Sequence, residues 1–160
     1  MEPLKEWICD ECGTVVTVDE GTVLWNRDHP GDGQVPVFHT DFIIVHNKCD
    51  KNEPTRLQSL HLAELVGPKG LMRLTEMLSG GPFQQGMTYL PDPDYKSYVD
   101  LFRRLHVPYY EEARRFFFGT QTADKWFNQG QRMVLDSQDW QDFIVEAKKE
   151  IHPAIASGLL

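Results

Sequence analysis

Apolar and polar positions divide this chain into two regimes. Residues 7 to 52 read as β-rich, with a period of two, and from about Thr55 the period lengthens to 3.6. Thr14 to Val18 is a β-branched run (T-V-V-T-V) followed by the turn former D-E-G. Thr22 to Trp25 then predicts a second strand, which gives a hairpin. Asn26 to Gln34 is dense in turn-forming residues and predicts a loop. Val37 to Val45 is the longest strand candidate, and His46 stands at its end.

In the second regime Leu57, Leu60 and Leu65 suit one helix, Gly67-Pro68 interrupts it, and Leu71, Leu74 and Leu78 mark the next. Residues 79 to 93 form a Gly- and Pro-rich connection. Asp92 is placed to cap a helix with Pro93 at its first position and Tyr95, Tyr98, Phe102 and Leu105 along its apolar stripe. Pro108 predicts the start of another helix, with Tyr109, Ala113, Phe116 and Phe117 on one face and Gly119 at its end. A short helix is expected around Ala123 to Gln129. A last one is expected from Asp136 or Ser137, with Trp140, Phe143, Ile144, Ala147 and Ile151 at helical spacing and His152-Pro153 as its stop. The fold class expected is α+β: a small N-terminal antiparallel β module (1–54), held by a metal ion, packed on a C-terminal helical body (55–160).

The metal enters through the cysteines. All three lie in two short turns, Cys9 and Cys12 in C-D-E-C-G and Cys49 in H-N-K-C, with His46 beginning the second. Each pair is separated by two residues, so a single tight turn can aim both side chains at one ion. Three thiolates and one imidazole are a donor set that structural Zn2+ accepts. Four protein ligands would close the coordination sphere, whereas a catalytic zinc keeps one position for water or substrate. Alternatives are buried cysteines acting as small apolar residues, and a rubredoxin-like iron centre, which wants a fourth thiolate. His39 is a rival fourth ligand, and His39, His29 or Asp41 beside the metal would make an open site.

Over residues 7–52 the knuckle C-x-x-C-G, the hairpin and the second knuckle resemble zinc-ribbon modules. The single histidine and the long intervening segment depart from the all-cysteine form. The resemblance implies a bound metal. As to role, such modules serve nucleic-acid binding, protein docking or structural support.

Composition narrows the remaining choices. The chain has 160 residues, 41% of them hydrophobic, and a formal net charge of -8, which opposes nonspecific attraction to nucleic acid or anionic membrane. The start M-E-P-L-K-E-W lacks a secretory pattern, and no run approaches the roughly 18 apolar residues of a membrane span. With thiolates spent on metal, the expected location is cytoplasmic.

Other constellations are weaker. Ser59 to Leu78 resembles a helix-turn-helix through Ala63 and Gly67, but Pro68 follows the glycine and Arg73 falls where that family buries a residue. Lys69 and Arg73 would be its nucleic-acid contacts. V-G-P-K-G is similar to the glycine hairpin of phosphate-clamping helix-hairpin-helix modules. Arg103, Arg104, Arg114 and Arg115 could form an anion-binding patch, although Asp100, Glu111 and Glu112 would neutralise much of it. No G-x-S-x-G or H-E-x-x-H is present, and zinc leaves no thiol over for a nucleophile. Three successive phenylalanines cannot all face inward on one helix, so Phe118 or a neighbour should sit at a helix-helix or chain-chain contact, which hints at a protein partner or at self-association. The leading functional expectation is a non-enzymatic zinc-containing accessory protein. A nucleic-acid-binding regulator comes second, and a metal-dependent enzyme third.

Overall fold

A computed structural model of the chain describes residues 1–28, 37–50, 58–79, 88–89, 92–128 and 135–151. Among the described residues the fold is α+β, with mainly antiparallel sheets near the N-terminus and five α-helices, mostly C-terminal. It divides into two compact units, Glu2–His106 and Val107–Leu160. The boundary expected near residue 54 falls inside the larger unit, between strands of one sheet.

In the larger unit, β1 (Glu6–Ile8) pairs antiparallel with β2 (Val15–Thr17), Trp7 opposite Val16. A four-stranded sheet follows in the order β5-β3-β4-β6. Its centre is β3 (Gly21–Asp28) and β4 (Val37–His46), with β5 (Gln58–His61) antiparallel to β3 and β6 (Thr88–Tyr89) parallel to β4. The hairpin expected between Thr14–Val18 and Thr22–Trp25 therefore does not form: β2 turns back on β1, and β3 takes its partners from later in the chain. β1 is only three residues long, too short for periodicity to reveal.

The expected helix over Leu57–Leu65 is also replaced, by β5 and a 3-10 turn, Leu62–Glu64. Burial alternates along Gln58–His61, so Leu60 faces the sheet's packed side as a strand residue. Helix α1 then spans Gly67–Ser79. Gly67 has φ +67°, a conformation that side chains resist, and a Cβ on Gly70 would lie 2.0 Å from the carbonyl carbon of Leu65. These two glycines of G-P-K-G make the sharp entry into α1.

Helix α2 (Asp92–His106) packs on β4. Tyr98, Leu101 and Leu105 are buried at helical spacing, whereas Tyr95, expected on the same stripe, is half exposed. Tyr98 sits edge-on to Phe42 (5.5 Å), which stacks on Trp25 (5.8 Å), and its hydroxyl donates to the carbonyl of Leu74. Burial pushes that phenol well above its usual range. One continuous core joins Trp7, Val16, Val23, Ile44, Val45, Leu62, Leu65 and Leu74 with the buried face of α2.

The smaller unit has its own core. Pro108 does not open a long helix. Tyr109 takes φ +67°, α3 is only Tyr110–Ala113, and a 3-10 turn, Arg114–Phe116, continues it until Gly119 at φ +80°. Helices α4 (Gln121–Asn128) and α5 (Ser137–Ile151) follow as expected. Thr120 caps α4 with its hydroxyl oxygen accepting from Ala123 N (3.1 Å), and Asp136 caps α5 by accepting from Gln138 and Asp139 N (2.8 and 3.0 Å). Tyr110, Trp140, Phe143 and Ile144 are buried here, and Phe117 touches the rings of Tyr110, Phe127, Trp140 and Phe143. Among the described residues no helix is long and apolar enough to cross a membrane.

Candidate metal centre

The first knuckle leaves β1 directly. Cys9 N donates to Thr14 O and Gly13 N to Cys9 O, both at 2.9 Å, and Gly13 closes the turn at φ +71°. The second lies at the end of β4, where a 3-10 turn, Asn47–Cys49, follows His46, and Asn47 N donates to Glu20 O (2.8 Å). Pairing between the two halves brings them together. Asp10 N donates to Ile44 O (2.8 Å), Ile44 N donates to Asp10 Oδ2 (2.7 Å), and His46 N points at Cys9 Sγ (3.4 Å).

The outcome is that the ligand atoms of Cys9, Cys12, His46 and Cys49 all lie within 4.8 Å of one another. Among the described residues this is the group in which three or more His, Cys, Asp or Glu ligand atoms converge. The imidazole is oriented for ligation. His46 is buried, and its Nε2–H donates to the carbonyl of Val15 (3.0 Å), so Nδ1 carries the free lone pair. Nδ1 faces Cys12 Sγ at 3.5 Å and Cys49 Sγ at 4.0 Å. Ligands on a tetrahedral zinc stand about 3.5–3.8 Å apart, given bond lengths of roughly 2.0–2.3 Å, so only small closure is needed.

The sulfurs differ electrostatically. Burial raises the Cys9 thiol, but amide donors from Cys12, His46 and Glu11 outweigh it and bring the group below its ordinary value. The Thr14 hydroxyl and amide lower Cys12, whose sulfur lies 3.1 Å from Thr14 Oγ1. Cys49 is pushed up to about 11 by desolvation and by the two thiols beside it. Three sulfurs this close resist full ionisation until a cation joins them.

Of the rival ligands, His39 pairs with Arg27 in the β3–β4 ladder, Asp41 accepts from Asn26 Nδ2 (2.9 Å) at a bulge, and His29 lies outside the described residues. The candidate anion contacts fall on different elements. Lys69 is exposed at the start of α1, and Arg73 pairs with Glu64 at 2.6 Å. Arg103 and Arg104 belong to α2 of the larger unit, while Arg114 and Arg115 belong to the 3-10 turn of the smaller, where Arg114 lies 3.8 Å from Glu111. Arg104 is no surface residue: its side chain is 2% exposed and its guanidinium pairs with Asp10 at 2.6 Å. Sequence reasoning missed Asp10, Arg104 and Trp7 as parts of this centre. Arg104 lies 94 residues from Asp10, and no local pattern links them.

These side chains constitute a Cys3His cluster able to bind a metal ion. Comparison of the chain with protein-family models, with curated proteins and with solved structures gives no match.

Proposed function

We propose that Cys9, Cys12, His46 and Cys49 hold one structural Zn2+ in a closed tetrahedral site, in a non-enzymatic accessory protein that acts by binding other macromolecules. The observation that carries this reading is the convergence of the four ligand atoms, with the His46 tautomer fixed by Val15. Soft thiolates with one imidazole favour zinc among common metals, and a saturated set leaves no position for a reacting water. The resemblance to zinc ribbons rests on the two knuckles, since the hairpin between them is differently paired. The test is metal analysis of the purified protein with a thiol-accessibility titration. One zinc per chain and three protected thiols, exposed on chelation, are expected. An exchangeable water ligand in the Co2+-substituted protein would overturn closure.

A partner of protein character is supported by Phe118, which is 91% exposed after two phenylalanines that pack inward. Light scattering distinguishes self-association from a heterologous partner. The nucleic-acid reading is less well supported, because Gln58–His61 is a strand where a helix-turn-helix needs a helix, and Arg104 is buried. A shift assay with DNA and RNA at moderate salt, expected to show no retardation, tests it. A cytoplasmic location fits the proposed thiolate chemistry.

A further inference from the structure

The Arg104 guanidinium straddles Cys9. One nitrogen donates to the carboxylate of Asp10 (2.6 Å), the residue after Cys9, and another to the carbonyl of Ile8 (3.0 Å), the residue before it. The same Asp10 oxygen accepts from Ile44 N at 2.7 Å, and Ile44 stands two residues before His46. A further bond ties the helix to β1: the buried indole N–H of Trp7 donates to the carbonyl of Arg104 at 2.9 Å. Asp10 is therefore the point where the first knuckle, the strand carrying His46 and helix α2 meet. Its charge is compensated there by a cation that is almost wholly buried.

We infer that Arg104 is a positioning residue for the metal centre, and that metal loading and the seating of α2 are coupled through Asp10. This rests on the metal-binding reading above and adds a route by which the centre governs a helix that supplies no ligand. Removing Arg104 leaves the Asp10 carboxylate without its buried counter-charge, so the carboxylate turns toward water and draws the knuckle away from Ile44. The sulfurs of Cys9 and Cys12 then have to be brought back to His46 as the ion binds. Groups bonded directly to metal ligands typically carry about 10–100-fold in affinity, and Arg104 acts one bond further out, so a loss at the lower end, about tenfold, is expected. Coupling is reciprocal, so zinc must in turn hold α2 more firmly on the sheet.

The experiment uses the full chain. Zinc affinity is measured by competition with a chromogenic chelator for the native protein, Arg104→Met, Arg104→Lys, and Lys96→Ala on the exposed side of α2. Amide exchange across α2 is followed with and without zinc. The expected result is weaker binding in Arg104→Met, partial recovery in Arg104→Lys, native affinity in Lys96→Ala, and zinc-dependent protection of the native α2. If Arg104→Met does not fold, the lysine variant and the exchange data on the native chain decide. Native protein that binds no zinc overturns the metal-binding reading itself. Native binding with Arg104→Met no weaker than Lys96→Ala, or with α2 exchange indifferent to zinc, overturns the positioning role alone.

Discussion

Withdrawing the metal should lower the melting temperature of the unit that carries all four ligands, by an amount set by free zinc. An ion that binds only the folded state stabilises it by about 2.7 kcal/mol at a hundredfold excess over Kd, and each further tenfold adds about 1.4 kcal/mol. The unit Glu2–His106 has about 105 residues, and unfolding entropies near 2.1 cal/mol/K per residue give roughly 0.22 kcal/mol/K for it. The midpoint should therefore rise by about 12 °C at hundredfold excess and by about 6 °C for each further decade. The assay is thermal unfolding followed by circular dichroism and calorimetry in zinc buffers spanning several decades of free ion. Cys9→Ser serves as the control, since Cys9 is the buried sulfur to which three backbone amides point. A midpoint that stays fixed across the series would refute the reasoning, as would an equal slope in Cys9→Ser.

Three further outcomes are expected. Gly70→Ala should cost at least the ~1–3 kcal/mol typical of overpacking, because the added carbon meets the Leu65 backbone and no rotamer change relieves it; urea denaturation checks this. Trp7→Phe should cost about 0.5–1.5 kcal/mol for the lost bond to the Arg104 carbonyl, beyond the smaller ring, by the same measurement. In the smaller unit the Glu150 carboxylate accepts from Gln121 N, Thr122 N and the Thr122 hydroxyl, and the two amides hold its pKa below the ordinary value. A depressed folded-state pKa means that its stabilisation is complete at neutral pH and is lost as acid titrates it in the folded state. Glu150→Gln should thus flatten the acid limb of stability against pH, as read by thermal midpoints in buffers descending from pH 6.

What could be read from the chain and what could not divides along the range of the interactions. The convergence of Cys9, Cys12, His46 and Cys49 was legible because chemistry and spacing are both local: two residues between members of each pair suffice to predict a shared turn. Strand β4, α4 and α5 were legible for a similar reason, since periodicity, turn formers and caps such as Asp136 act within a few residues. Strand β5 was not. Leu57, Leu60 and Leu65 fit a helical face, but β3 offers an open edge to Gln58–His61, and a ladder to Thr22–Trp25 outweighs a weak local preference. Arg104 was misplaced by the same logic. Beside Arg103 it reads as one more solvated cation of α2, and its burial follows from Asp10 and Ile8, which lie far away in sequence.

These two errors bear on function together, because both removed surface from the nucleic-acid reading and added structure around the metal cluster. A helix-turn-helix at 59–78 needs its first helix free to cross a phosphate backbone. Here that stretch is bound into the sheet that also delivers His46. An anion patch needs Arg104 in solvent, and here the guanidinium is committed to the residues on either side of Cys9. The two knuckles are thus built into the main core of the larger unit through β4, Asp10 and α2. A metal ion at this position would brace a unit of this size as a whole, which a free-standing ribbon of fifty residues could not do.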